Sequence, residues 1–224
     1  MITPTYNNKW IRKFMRLARE GCESTSCGSR NVGCLLVKNK IPIMSGYNGP
    51  PSGCKNNSER VNISNDYAMP SYNPHDCTFS VPENYSEDFK LRCPSEHFLC
   101  EEFKKGKNIC PRKLLGHKSG EYNKLCNCNH AEQNAIAFAA RHGHSTQDAS
   151  AFVYPISPCS SCAGLLIAAG IKEVYTTKIY DDRFARIILS EAGVHLFLVN
   201  ADLLDLDSSS LHLNDENLVI NYKE

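Results

Sequence analysis

From residue 130 onward the chain alternates between helical and strand periodicity in short regular blocks, and few folds accept that alternation. Residues 130–141 are Ala-rich with helical spacing, 151–156 form a short apolar run, and 159–169 read as a second helix closed by Gly170. A strand over 173–179, a helix over 183–192 and a last strand over 195–199 follow. Strands interleaved with helices of this length predict a sheet covered by helices on its faces. Upstream, Trp10, Ile11, Phe14, Met15, Leu17 and Ala18 give residues 8–20 an apolar helical face, with Gly21 as a stop. Residues 32–38 and 41–47 read as two strands joined by a tight turn at Asn39 and Lys40. The expected architecture is a three-layer α/β/α sandwich around a central mixed five-stranded sheet, in one domain over 1–200.

Residues 55–127 interrupt this pattern. They are polar, weakly periodic and rich in Asn, Ser, Pro, Lys and Cys. A segment of that length is too long for a structureless loop and too polar for a core of its own, so it reads as a Cys-rich insertion that needs staples. Residues 201–224 read as a C-terminal tail.

The charges nearly cancel, with 25 Lys plus Arg against 24 Asp plus Glu. A protein that lives on nucleic-acid phosphates carries a basic excess, so the expected partner is a small molecule rather than nucleic acid. No run of eighteen apolar residues is present, so no membrane association is expected, and the first residues lack an apolar signal core. The chain is therefore read as cytoplasmic. In a reducing compartment, twelve cysteines among eight histidines point to metal as well as to small buried side chains.

Two motifs give that metal a chemistry. His130-Ala131-Glu132 opens one helix, and Pro158-Cys159-Ser160-Ser161-Cys162 opens the next. One imidazole and two thiolates leave a fourth zinc position open for water, and zinc lowers the pKa of that water toward ~7. A helix N-terminus favours the thiolate forms of Cys159 and Cys162. Glu132 lies close enough to His130 to move protons without binding the metal. Either motif alone is weak. Together, in this order and with a strand between them, they form the signature of zinc nucleobase deaminases.

The segment Cys128-Asn129-His130-Ala131-Glu132-Gln133-Asn134-Ala135-Ile136 resembles the deoxycytidylate (dCMP) deaminase family, above all its bacteriophage branch. So do Ser157-Pro158-Cys159-Ser160-Ser161-Cys162-Ala163 and Ala169-Gly170-Ile171-Lys172, and upstream Ser29-Arg30-Asn31-Val32-Gly33 and Gly46-Tyr47-Asn48-Gly49 with Pro51 and Gly53. The resemblance covers residues 7–54 and 128–199. It implies a cytidine-deaminase-like sandwich and hydrolytic deamination of dCMP to dUMP and ammonia through zinc-bound hydroxide, with Glu132 as the proton carrier. It implies substrate contacts from Asn48, the backbone N–H of Ala131, the carbonyl of Ser157, and Tyr180. Phe138 and Arg141 match a pair that the phage relatives place at a subunit interface beside the active site. A homo-hexamer is implied, activated by dCTP with Mg2+ and inhibited by dTTP, with Gly46, Tyr47, Asn48, Gly49 and Gly53 in the effector loop. Two alternatives stay open: an enzyme that also accepts dCTP, and a non-catalytic zinc module whose insertion binds a partner.

The phage relatives carry a second, structural zinc. Cys27 and Cys128 match two of its ligand positions and His117 a third. The fourth aligns near Asn57, a poor ligand, which leaves Cys54 or Cys126 as its replacement. His75, Cys77, Cys93, His97, Cys100 and Cys110 have no counterpart in the resemblance. Four of them together are able to hold a third zinc.

Overall fold

Ile11, Phe14, Met15 and Ala18 recur at helical spacing, and in the computed structural model they form the buried stripe of helix α1 (Asn8–Gly21), which is capped by the Asn7 side chain accepting from the Trp10 N–H. The structure describes residues 3–56, 71–73, 78–80, 110, 126–205 and 219–221. These divide into two compact units, one formed by Met1–Thr25, Asn31–Asn48 and His130–Glu224, the other by Ser26–Arg30 and Gly49–Asn129.

The first unit holds the sheet. Strands β1 (Gly33–Lys38) and β2 (Ile41–Tyr47) form an antiparallel hairpin. Its two-residue turn places Asn39 and Lys40 at φ 53° and 64°, the left-handed pair that matches strand twist. Strand β5 (Ser150–Ile156) pairs antiparallel with β1. Strands β6 (Glu173–Lys178) and β7 (His195–Val199) then add in parallel. The sheet order is β2-β1-β5-β6-β7 with one further strand beyond β7, mixed as expected. Its sixth strand, β8 (Val219–Asn221), comes from the tail and pairs antiparallel with β7. Three residues within a polar tail are too few to show a period, so the sequence announces five strands and the edge strand goes unseen.

Strand alternation sorts the core into two layers. Cys34, Leu36, Ala151, Val153, Val174 and Leu196 face helices α2 (Ala131–Arg141), α3 (Ser160–Ala168) and α4 (Arg183–Glu191). Leu35, Val37, Phe152, Tyr175 and Phe197 face α1. On the α1 side three rings stack across neighbouring strands, Phe152 on Tyr175 at 4.4 Å and Tyr175 on Phe197 at 5.0 Å. Gly33 lets α1 approach, because a Cβ there would lie 2.1 Å from the Ala18 carbonyl oxygen. Among the described residues no helix is long and apolar enough to cross a membrane.

In the second unit the described residues include a small antiparallel pair, β3 (Ser71–Asn73) with β4 (Thr78–Ser80). Gly49 and Asn129 exchange backbone hydrogen bonds of 3.2 and 2.9 Å and so close its two ends together. The Asn127 amide donates to the Lys55 carbonyl at 3.2 Å. Most of the 55–127 segment lies outside the described residues, including His75, Cys77, Cys93, His97, Cys100 and His117. Cys110 is described and is buried.

Candidate active site

Strand β5 leads into the turn that starts α3, and β2 packs against α2, so two helix N-termini meet beyond the C-terminal end of the central strand β5. His130 is the N-cap residue of α2, fixed there by its N–H donating to the Gln133 side chain at 2.7 Å. Cys159 is the N-cap residue of α3, and Cys162 lies one turn further in. The His130 Nδ1 atom is 3.3 Å from Cys162 Sγ and 3.5 Å from Cys159 Sγ, and the three ligand atoms all lie within 4.8 Å of one another. An imidazole and two thiols at this spacing form the donor set of an open catalytic zinc site. Among the described residues no other three such donors converge as closely.

The electrostatics suit the role. Cys162, and then His130, lie beside Cys159 and pull its thiol down to about 4. Cys162 moves the other way, because its neighbour Cys159 holds the charge and because it is buried. Glu132 is on the first turn of α2 and only 4% exposed. Burial raises its pKa, and its carboxyl sits beside the Cys162 thiol. A carboxyl held partly against ionisation is able both to accept and to return a proton.

The other expected residues divide. Ala131 and Ser157 are buried at this end of the sheet, Ala131 at the first position of α2. The Ser157 N–H donates to the Lys178 carbonyl at 2.8 Å, and its hydroxyl accepts from the Tyr180 N–H at 2.8 Å, so Tyr180 is tied to the metal-site turn. Asn48 is buried, and its side-chain oxygen accepts from the Val32 N–H at 2.8 Å and from the Thr25 hydroxyl. It lacks the positive φ of a turn residue, since the described non-glycine residues with positive φ are Asn39, Lys40 and Asp148. Its amide is therefore oriented by the fold rather than by a turn.

Phe138, half-buried, and Arg141 lie in the second half of α2. Arg141 is exposed in the last turn of α2, nine residues beyond Glu132, or about 13 Å along the helix axis. Of the effector-loop residues, Gly46 lies in β2 pressed against α2, Tyr47 is half-exposed, and Gly53 has φ 87°.

Two polar residues escaped the sequence reading. Asn134, buried on α2, donates from its amide to the Tyr47 carbonyl at 2.7 Å and ties α2 to the end of β2. Asp182 accepts hydrogen bonds from two helix N-termini. An Asp just before Arg183 is a legible cap for α4. Its reach to α3, 22 residues away, has no local signal.

A three-donor metal cluster backed by a buried carboxylate, beyond the end of a central strand of a mixed sheet and between helix N-termini, defines a zinc hydrolase of the nucleobase-deaminase class. Comparisons agree: residues 8–178 match the family described as cytidine and deoxycytidylate deaminase zinc-binding region. The chain belongs to that family and is a zinc-dependent deaminase. It is similar to deoxycytidylate deaminase of Enterobacteria phage T2, 29% identical over 180 residues covering 79% of this chain and 85% of that protein. It is also similar to ComE operon protein 2 of Bacillus subtilis, 35% identical over 199 residues covering 88% and 75%. The dCMP deaminase of cyanophage S-TIM5 in its apo form shares the fold, with a TM-score of 0.52 and 20% identity over 85% of this chain and 98% of that one.

Proposed function

We propose that this deaminase acts on dCMP, releasing ammonia and dUMP. The observation that carries the reading is the buried Glu132 beside the convergent His130, Cys159 and Cys162. The choice of dCMP over other cytosine compounds draws support from the T2 relative, a deoxycytidylate deaminase, and from the fixed Asn48 amide. Zinc, when held by these three ligands, supplies an activated water. As the water oxygen bonds to C4, Glu132 takes its proton and passes it to ring N3; Glu132 then moves the remaining hydroxyl proton to the 4-amino group, which leaves as ammonia while C4 becomes the carbonyl of dUMP. Ala131 N–H and Ser157 C=O hold the pyrimidine edge, and Asn48 and Tyr180 hold the sugar side. Phe138 and Arg141 serve a neighbouring copy's site, consistent with their distance from Glu132 along α2. Control by dCTP with Mg2+ and by dTTP at the Gly46–Gly53 loop belongs to the same reading.

A second, structural zinc is proposed within the other unit. The Cys128 thiol is held well above its usual range by hydrogen bonding with Cys126 first, then with Cys27, and by burial, so Cys126 and Cys27 each neighbour Cys128. That grouping favours Cys126 over Cys54, which is exposed, as the third thiol.

The decisive measurement pairs zinc content with ammonia release from dCMP, dCTP, deoxycytidine and cytidine. The reading expects turnover of dCMP with at least one zinc per chain, and a second zinc that C128S removes. Turnover of dCTP equal to that of dCMP would favour the bifunctional alternative. Stoichiometric zinc with no deamination of any of the four would favour the non-catalytic one.

A further inference from the structure

The turn that carries both thiols has a capping problem. Cys159 stands at the N-cap of α3, where a side-chain oxygen ordinarily accepts one of the helix's orphan N–H groups. It carries no such oxygen; its sulfur faces the Cys162 N–H, and the Ser160 N–H turns to another acceptor. The acceptor comes from another helix. Asp182 Oδ2 accepts from the Ser160 N–H at 2.8 Å, while Oδ1 accepts from the Ala185 N–H at 3.1 Å as the N-cap of α4. One carboxylate thus caps two helices. A second brace lies on the other side of Cys159, where the Tyr180 N–H donates to the Ser157 hydroxyl at 2.8 Å. Arg186 Nη1 donates to the Tyr180 carbonyl at 3.1 Å, and the Asp182 N–H donates to the same carbonyl at 2.8 Å. The connection from β6 to α4 is therefore a rigid clip bonded on both flanks of a zinc ligand.

We propose that Asp182 is a positioning residue for the thiolate half of the metal site, setting zinc affinity by fixing the turn from Cys159 to Cys162. This rests on His130, Cys159 and Cys162 being the zinc ligands. Residues that orient ligands from behind typically govern metal affinity by about 10–100-fold.

The test is zinc affinity by chelator competition on the full chain, together with the visible absorption of the cobalt-substituted protein. D182A removes both caps. D182N keeps one acceptor but sets an NH2 group against the other N–H, so it tests the clamp where D182A fails to fold. D181N, changing the exposed neighbour, is the control. Weakening of zinc binding by about 10-fold or more in D182A and D182N, with an altered cobalt spectrum and an unchanged D181N, supports the proposal. A lowered melting temperature with wild-type zinc affinity and cobalt spectrum overturns it, because Asp182 would then only cap helices. A wild-type chain that takes up no zinc through His130, Cys159 and Cys162 overturns the ligand assignment and this inference together.

Discussion

A Cβ placed on Gly46 would lie 2.4 Å from the carbonyl oxygen of Ala131 and equally close to the backbone nitrogen of Ala135. Both obstacles are backbone, so no side chain is able to yield. Strand β2 would have to move from α2, the helix that carries His130 at its cap and Glu132 in its first turn. G46A is expected to lose about 1–3 kcal/mol of stability by overpacking. A displacement of even 1 Å at the reacting groups costs on the order of 100-fold in rate. G164A, in the middle of α3 with nothing within 4 Å, is expected to gain about 0.5–1 kcal/mol instead. Urea denaturation of both variants checks the pair. A G46A protein as stable as wild type would show that β2 and α2 do not pack as described.

Glu132 has a role separable from metal binding. E132Q keeps shape and hydrogen-bonding length but is unable to carry a proton. Deamination is expected to fall by at least about 100- to 10,000-fold, the range general acid–base groups supply. Zinc content should stay at the wild-type value, and stability should not fall, because a neutral amide replaces a carboxyl that burial already disfavours as an anion. Ammonia assays and atomic absorption on the same preparation decide it. Retained turnover in E132Q would remove Glu132 from the chemistry.

These two residues also show how far the sequence is legible. His130, Glu132, Cys159 and Cys162 are readable because their spacing is itself the chemistry. Helix α1, the β1–β2 turn and the strands β5, β6 and β7 are readable because period and turn residues are local properties. Gly46 reads as a loop or effector residue, whereas its close approach to Ala131 depends on a helix 85 residues further along. Asp182 is readable as a cap but not as a clamp, since its second partner is a matter of tertiary packing. The tail strand β8 exists because β7 offers it a free edge, not because three residues demand extension.

Cys22 gives the fold a pH dependence on the alkaline side. Burial first of all pushes its thiol up to about 11 from an ordinary value of 9.0, and the thiol points at the carbonyl oxygens of Ala18 and Tyr154. The folded pKa is raised, so the unfolded chain ionises first. The stabilisation is complete below about pH 9 and is lost as pH rises toward about 11. The C22A variant is expected to fall in stability less steeply than wild type across that window, whatever constant cost the lost sulfur imposes. Parallel slopes in urea melts from pH 8 to 11 would rule this out.

Tyr175 joins the ring stack to a buried carboxylate, and the two contributions are separable. Its hydroxyl donates to Glu173 Oε2 at 2.9 Å, and the Ser150 hydroxyl donates to the same oxygen at 3.0 Å. The Thr5 N–H and hydroxyl donate to Oε1 at 2.9 and 2.8 Å. Y175F keeps the ring between Phe152 and Phe197 and deletes one donor from a carboxylate that is only 5% exposed. Hydrogen bonds to charged groups contribute about 1.5–3 kcal/mol, so Y175F should lose that much. Y175L should lose more, because it also removes the stacked ring and leaves a cavity. The site lies at the start of β6, away from the metal-site turn that follows β5, so kcat of the folded fraction should stay at the wild-type value in Y175F. A Y175F protein with wild-type stability would mean that water replaces the hydroxyl and that Glu173 is less enclosed than its neighbours make it.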